Sequence, residues 1–349
     1  MNKSKGFKYI ERKISGILSK FACKIVCMKK IFSCLLGLLV SLVSFSQNSL
    51  FEELVRKSLL YFEQHELQKF EEVYPSLYIA YLKANIPSYQ EAVDAANDGN
   101  TELAISHINE LVDEDLFIDE IENDENFTAL HKNKTWTILL EKVQSIKDSY
   151  NEKIRKELKD VQNRDQGIRL LYLNTKNDSL KRSLHSYMKT VVDQDCSTKI
   201  GSILDKYGWL SADKIGSEAN ETLFLGIQHV DNLIVQEKYL PMLRSAVEQG
   251  DADGWHLAFL TDRILMNQGK KQIYGTQKII SSDPEKSYII PLENPDKVDE
   301  LRNSMGLPPL EEELKEEGIS WNIEEYKKNS AVIEEMYREY HERTNSKER

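Results

Sequence analysis

Apolar residues recur at helical spacing in the first half of the chain. Phe51, Leu54, Val55, Leu59 and Phe62 fall on one helix face. Prolines punctuate the segments that follow, which favours several helices over one long helix. Residues 48–150 are therefore predicted to form a series of helices.

The segment YQEAVDAANDGNTELAISHINELVDED (89–115) predicts two helices in close contact. Alanines line the first helix, an Asp-Gly-Asn turn follows, and small and apolar residues line the second. Facing small residues let two antiparallel helices approach closely. The pair resembles a single tetratricopeptide-like helix pair, which implies stacked α-hairpins with a groove for a peptide or protein partner. No second copy follows in register, so a repeated array is not predicted.

An acidic run from 113 to 125 follows this pair. It lacks the alternating aspartates, the glycine and the final glutamate of an EF-hand loop. A run of like charges is more often a solvated surface than a metal site. We therefore predict that this segment faces solvent and does not bind calcium.

The second half of the chain changes character near residue 272. Short helices alternate with tight connections up to 271, and isoleucines and Tyr288 then flank SSDPEK (281–286), which predicts a β-hairpin over 272–292. The predicted fold class is mainly α: an N-terminal tetratricopeptide-like α-hairpin region over 47–147, followed by a helical domain over 148–315 with one small β-hairpin. Residues 316–349 are predicted to form a C-terminal helix and tail.

The N-terminus has the three parts of a secretory signal peptide. Met28-Lys29-Lys30 is a basic start, residues 31–43 are an apolar run, and small residues precede a cleavage point after Ser46. It resembles export signals of Gram-negative bacteria, which implies a periplasmic protein. We interpret 28–46 as the signal and 1–27 as an over-called start. The alternative is that the apolar run stays as a membrane anchor.

Loss of residues 1–46 makes the chain more acidic. That segment holds nine basic residues and one acidic residue, so the formal charge falls from −11 to −19. Such a surface repels nucleic acid and anionic lipid, so we expect no nucleic-acid partner, and membrane contact only through an uncleaved signal. Cys196 is then the one cysteine left, which excludes an internal disulfide.

Polar side chains stand at four places in the second half where the pattern predicts burial. Two of these side chains lie four positions apart on one helix face, and two lie beside the apolar stripe of a second helix. Two more interrupt a third helix that is apolar on all sides, and three belong to the turn NQGKKQIYGTQKII (267–280). Buried charges need partners, so these segments are expected to meet. The residues are Asp165 and Arg169, Gln228 and His229, Asp262 and Arg263, and Gln272, Tyr274 and Gln277.

The same residues carry a family resemblance. D-Q-x-x-R at 165–169 (with Gln166), Gly-Trp at 208–209, Gln-His at 228–229, Asp-Arg at 262–263 and QIYGTQ at 272–277 occur in this order, followed by Arg302 and Gly-Leu-Pro at 306–308. Over roughly 150–315 the chain resembles an uncharacterised, often exported bacterial family, a domain of unknown function. The resemblance implies a domain boundary near 145–150 and brings no activity or substrate. Leu210 stands where the family pattern suggests proline, which affects a turn.

Three hypotheses remain open for the polar residues. The preferred one is a binding module with a polar pocket for a small or peptide-like ligand, since the chain shows no nucleophile motif. The second is a hydrolase-type enzyme in which His229 is the acid or base, Asp165 or Asp262 orients it, and an arginine holds an anionic group. The third is a purely structural network. We expect no metal and no cofactor, because His229 lacks an H-E-x-x-H partner and phosphate loops are absent. The expected ligand-binding residues are Gln166, Arg169, Gln228, Arg263, Gln272, Tyr274 and Gln277.

Overall fold

The fold was obtained as a computed structural model that describes residues 49–279, 287–316, 319 and 321–347. Within these residues the chain is mainly α-helical with one small antiparallel sheet, which confirms the predicted fold class. The predicted signal peptide lies outside the described residues. None of the described helices has the length and apolar character needed to cross a bilayer.

The N-terminal region consists of helices joined by short connections. Asparagine side chains at 100 and 133 accept hydrogen bonds from backbone N–H groups at two helix starts, which explains where those helices begin. Short 3₁₀ segments lie at Ile121–Asn123 and Glu125–Lys132. The helices are α1 (Ser49–Glu63), α2 (Leu67–Val73), α3 (Ser76–Asn85), α4 (Pro87–Asn97), α5 (Thr101–Asp113) and α6 (Lys134–Ser149).

The second half continues with longer helices and the sheet. A π-helical turn, Met188–Val192, separates two helices, and a 3₁₀ turn, Pro295–Lys297, precedes another. The elements are α7 (Glu152–Asn174), α8 (Asp178–Tyr187), α9 (Asp193–Tyr207), α10 (Ala212–Ile215), α11 (Ser217–His229), α12 (Leu233–Gln249), α13 (Gly254–Asn267), β1 (Lys278–Ile279), β2 (Tyr288–Ile289), α14 (Val298–Ser304), α15 (Leu310–Glu316) and α16 (Ile323–Lys347).

The expected close helix pair is formed by α4 and α5, which pack against each other. Ala92 on the first helix and Ala104 and Ile108 on the second are fully buried. Gly99 has a φ of +73° in the connecting turn, a conformation that glycine adopts without strain. Small side chains thus allow the close approach that the sequence predicted.

The predicted β-hairpin is present as two short strands. Lys278 pairs with Ile289 and Ile279 with Tyr288 in antiparallel register. The predicted tip, SSDPEK, lies outside the described residues. Fully buried Gln272 supports the strand ends, because its amide nitrogen donates to the carbonyl oxygens of Gln277 (3.0 Å) and Ile290 (2.7 Å).

The acidic run from 113 to 125 is an interface, and the prediction of a solvated face was wrong for several of its residues. Asp119 contacts Arg155 and Lys159 of α7 at 2.6 and 2.7 Å, and buried Asp124 contacts Lys83 at 2.7 Å. Burial alone would raise the pKa of Asp119, but Arg155 and Lys159 hold it well below its usual range. The sequence of an acidic run does not predict which basic residues of a distant helix will pack against it.

The hydrophobic core runs through both halves of the chain, from Phe51 to Leu307. A smaller apolar cluster joins the sheet to the C-terminal helices and includes Ile289, Leu310 and Tyr326. Gly167 of α7 packs so closely on the N-terminal region that a Cβ there would lie 2.5 Å from the carbonyl oxygen of Tyr74. The N-terminal helices therefore pack directly on the helix that carries Asp165 and Arg169.

Candidate functional site

His229 is the last residue of α11, and a buried glutamine fixes its position. Gln236 of α12 is fully buried and directs its amide nitrogen at the carbonyl oxygens of Ile227, Gln228 and Val230, at 3.4, 3.3 and 3.0 Å. These are carbonyl groups at a helix end, which otherwise lack partners. Gln236 thereby fixes the end of α11 that presents the imidazole.

The imidazole of His229 binds the carboxylate of Asp165 on α7. Its Nδ1 lies 2.9 and 3.1 Å from the two carboxylate oxygens of Asp165, and the Asp165 side chain is almost fully buried. The side-chain amide of Gln166 donates to the same carboxylate at 2.7 Å. Asp165 is therefore fixed from two sides and can hold the imidazole in one orientation.

Arg169 links Asp165 to a second buried carboxylate, that of Asp193. One terminal nitrogen of Arg169 lies 2.9 Å from Asp165, and the other donates to Asp193 at 2.8 Å. Lys189 lies 3.1 Å from Asp193, 3.0 Å from the exposed Asp231, and donates to the carbonyl oxygen of His229 at 3.2 Å. Both terminal nitrogens of Arg169 thus have partners within the protein.

These contacts set the protonation state of the pair. Burial would raise the pKa of Asp165, but Arg169 and His229 hold it below its ordinary value. Burial lowers the pKa of His229, Arg169 adds to this effect, and Asp165 opposes it. Because Asp165 is ionised, its carboxylate accepts a hydrogen bond from the N–H group at Nδ1. In the neutral imidazole, Nε2 then carries a lone pair. No contact to Nε2 is made by any residue that the structure describes, and the side chain is 20% exposed.

Asp262 does not hold the imidazole of His229, because its carboxylate is bound by the turn that follows α13. Its oxygens accept hydrogen bonds from the backbone N–H groups of Ile273 (2.8 Å), Tyr274 (3.1 and 3.2 Å) and Thr276 (3.1 Å), and from the Thr276 hydroxyl (3.0 Å). Gly275 has a φ of +71° within this turn. The carboxylate fixes the turn, and Asp165 is the carboxylate that contacts His229.

Arg263 leaves the same helix in another direction. Its Nε donates to Oε1 of Gln277 at 2.7 Å. Burial lowers the pKa of Arg263, and the charges of Asp231, Arg169 and Asp193 also act on it. Arg263 therefore shares Arg169 and Asp193 as electrostatic neighbours with His229. Through Gln277, the polar turn also contributes to this region.

The structure brings together some of the sequence-predicted residues and separates others. Asp165, Gln166, Arg169 and His229 form one network, and Arg263 with Gln277 borders it. Asp262 and Gln272 form their hydrogen bonds within the turn. Burial and the charge of Asp262 raise the pKa of the Tyr274 hydroxyl, whereas Arg244 opposes this effect. The backbone carbonyl of Tyr274 accepts a hydrogen bond from Arg302. Gln228 is buried, with its side-chain oxygen unpartnered.

Two residues of the network were missed in the sequence, Lys189 and Asp193. Lys189 lies within the π-helical turn, Asp193 follows directly after it, and the sequence of this segment is that of an ordinary polar helix. Their i, i+4 spacing was the available signal. Cys196, a turn later, is fully buried, and burial raises the pKa of its thiol, which is the state of a packing residue. No cluster of three or more potential metal ligands occurs among the described residues.

Comparison with known proteins finds one matching family model, over part of the chain. No curated protein and no solved structure matches the chain. Residues 151–321 match the model of a family of unknown function, DUF6624, in agreement with the resemblance expected over roughly 150–315. The match begins one residue before α7 and includes every residue of the network around His229. The similarity covers residues 151–321, just under half of the chain, and is to DUF6624, a family of unknown function.

Proposed function

We propose that this domain is a ligand-binding module whose site is the exposed side of His229. One observation carries the proposal: Nδ1 of the imidazole is held by Asp165, whereas Nε2 has no partner among the described residues. A histidine that only ties helices together has both ring nitrogens paired or buried. Here the surrounding contacts fix the ring and leave one nitrogen to bind a ligand.

The ligand class follows from the groups around the imidazole. Nε2 accepts a hydrogen bond when the ring is neutral and donates one when it is charged, so it suits a hydroxyl, an amide or an acid group. The imidazole stands in a network of charged side chains, Asp165, Arg169 and Lys189, which favours a small polar molecule or a polar side chain of a peptide. The purely structural hypothesis accounts well for Asp262 and Gln272, and poorly for His229.

The test is a fragment screen that reads the imidazole directly. A library of small carboxylic acids, phosphate esters, amides and sugars is titrated into the ¹⁵N-histidine-labelled protein. We expect some fragments to shift the ring signals of His229 and raise the melting temperature, and His229→Gln to abolish that rise. His185→Gln, at an exposed position on α8, is the matched control.

A structural role predicts a different result. In that case no fragment shifts the His229 signals, and His229→Gln lowers the free energy of unfolding by about 2–5 kcal/mol, as when a buried network is broken. A binding role predicts fragment-induced shifts of the His229 signals whatever that substitution costs, because the buried Asp165 loses its imidazole partner in either case. The fragment shifts therefore decide between binding module and scaffold.

A hydrolase-type activity is the second candidate function, and the tautomer of His229 favours it. A neutral imidazole with Nδ1 on a carboxylate and a free Nε2 is the arrangement of a general base that activates water. The test is hydrolysis of p-nitrophenyl phosphate and p-nitrophenyl acetate by wild type and His229→Gln. Equal rates for the two proteins, at the level of buffer alone, would count against this activity toward both ester types.

We also propose that the protein is exported to the periplasm after cleavage behind Ser46. The basic, apolar and small-residue parts of 28–46 support this. We further propose that α4 and α5 belong to a tetratricopeptide-like region that contacts a protein partner, which the close packing of the two helices supports. N-terminal sequencing of the mature protein tests the cleavage point, and a start other than Gln47 would contradict it.

A further inference from the structure

Arg263 differs from the other arginines that are buried or half-buried in the described ranges. Each of the others lies at ion-pair distance from a carboxylate, namely Arg155, Arg164, Arg169 and Arg302. Arg263 has no carboxylate at that distance within the same ranges, and the hydrogen bond from its Nε to Gln277 uses one edge of the guanidinium. Its two terminal nitrogens remain available.

Gln277 fixes the position of the Arg263 guanidinium, because its own backbone and side chain are hydrogen-bonded. The backbone N–H of Gln277 donates to Gln272 at 2.8 Å, and the Gln277 side-chain nitrogen donates to the Thr276 hydroxyl at 3.0 Å. Gln277 is itself buried, so the side-chain oxygen that accepts the hydrogen bond from Nε of Arg263 is held in place. The terminal nitrogens are not among the polar atoms buried without a partner, so they keep access to solvent.

The electrostatic surroundings favour an added negative charge. Burial lowers the pKa of Arg263, and the like charge of Arg169 adds to this effect, whereas Asp231 and Asp193 oppose it. The terminal nitrogens of Arg169 contact Asp165 and Asp193. Arg169 therefore adds positive electrostatic potential near Arg263 but does not itself bind the anion. A half-buried guanidinium without a direct counter-ion is unfavourable, and an anion that reaches it would relieve that cost.

We propose that Arg263 is the anion-binding residue of the site, and that its terminal nitrogens pair with the oxygens of a carboxylate or phosphate group on the ligand. A guanidinium fork matches two oxygens of either group, which an ammonium does not. This inference rests on the proposed function, since His229 would contact another part of the same ligand. The ligand class is thus a small polar molecule that carries one acidic group.

The experiment uses inorganic phosphate and acetate as separate probes on the whole protein. Binding is measured by calorimetry and by the ¹H–¹⁵N signal of the Arg263 Nε–H group, and the two probes distinguish phosphate from carboxylate recognition. We expect at least one probe to shift that signal, and Arg263→Gln to weaken its binding by about tenfold, the loss of one charge-assisted hydrogen-bonded pair. Arg244→Gln, at an exposed arginine of α12, should bind as wild type does.

Arg263→Lys provides a second comparison in case Arg263→Gln does not fold. It keeps the charge and loses the fork, so we expect binding weaker than wild type by several-fold, and equal affinity would overturn the inference. Equal affinity in a folded Arg263→Gln would overturn it as well, because the anion would then bind elsewhere. If neutral fragments shift His229 while neither probe binds, this inference fails and the proposed function stands. If nothing at all shifts His229, both fail.

Discussion

Asp115 accepts a hydrogen bond from the backbone N–H of Ser217, with 2.7 Å between the carboxylate oxygen and the nitrogen. The two residues are 102 positions apart, and Ser217 begins the helix that ends at His229. Gly216 permits this contact, because a Cβ there would lie 2.6 Å from the Asp115 carboxylate and its φ is +86°. The N-terminal region thus supplies the N-terminal cap of a helix that lies within residues 151–321.

Replacement of Asp115 by alanine should therefore destabilise the whole protein. The substitution removes a helix cap and a hydrogen bond from the Tyr150 hydroxyl (3.2 Å), and loss of a cap costs about 1–2 kcal/mol. Urea unfolding followed by circular dichroism measures the loss. The matched control is Asp98→Ala, at an exposed aspartate, which should change the free energy of unfolding by less than about 0.5 kcal/mol. Equal effects of the two substitutions would show that the cap contributes nothing.

Hydrophobic periodicity was enough to predict the helical fold class, the close pair α4–α5 and the hairpin. Each depends on local spacing, on small residues or on turn residues, which are visible within a short window. The polar residues that would be buried were also predictable, because Asp262 and Arg263 interrupt a helix with no polar face. The sequence therefore indicates which polar groups need partners.

The identity of those partners was not predictable. Asp262 and Arg263 are adjacent, yet the first accepts hydrogen bonds from the turn over 273–276 and the second donates to the Gln277 side chain, because neighbouring residues of a helix point about 100° apart. The link between Asp115 and Ser217 joins segments whose patterns are independent of each other. Spacing along a chain specifies a face, and the packing of whole helices decides what that face meets.

Arg302 and Arg263 should respond to substitution in opposite ways. Arg302 is fully buried, donates to the carbonyl oxygens of Pro308 (2.7 Å) and Tyr274 (2.9 Å), and binds the carboxylate of Glu313. Arg302→Met leaves Glu313 buried, with Lys278 at 3.1 Å as its remaining cation among the residues that the structure describes. We expect a loss of about 3–5 kcal/mol in the free energy of unfolding, the usual cost of breaking a buried pair.

Arg263→Gln is the comparison for that substitution, because it leaves no carboxylate without a partner. We expect its melting temperature to stay near that of wild type or to rise, as when a charge held for ligand binding is removed. Differential scanning fluorimetry of both variants tests the contrast. A large loss of stability in Arg263→Gln would mean that the guanidinium serves the scaffold.

His256 lies on α13, in an environment opposite to that of His229 on α11. It is 1% exposed, its ring stacks on Phe224 with 4.5 Å between centroids, and neither ring nitrogen has a partner among the described residues. Burial lowers the pKa of His256 to about 3. The imidazole therefore acts as an apolar ring that must stay neutral in the native state.

The stability of the protein should consequently fall with acid through His256. The unfolded state takes up this proton below a pKa of 6.5 and the native state only near 3, so the native state loses roughly 1.4 kcal/mol per pH unit between those values. His256→Phe keeps a ring against Phe224 and cannot be protonated. Urea unfolding at pH 7 and pH 4 should show wild type losing about 3 kcal/mol more than His256→Phe, since losses from other groups, such as Asp119, are common to both. His256→Gln, which is polar but does not titrate, should resemble His256→Phe in pH dependence. If all three proteins lose the same free energy between the two pH values, the native state accepts the proton on His256 without cost, and the packing of this ring is not what limits acid stability.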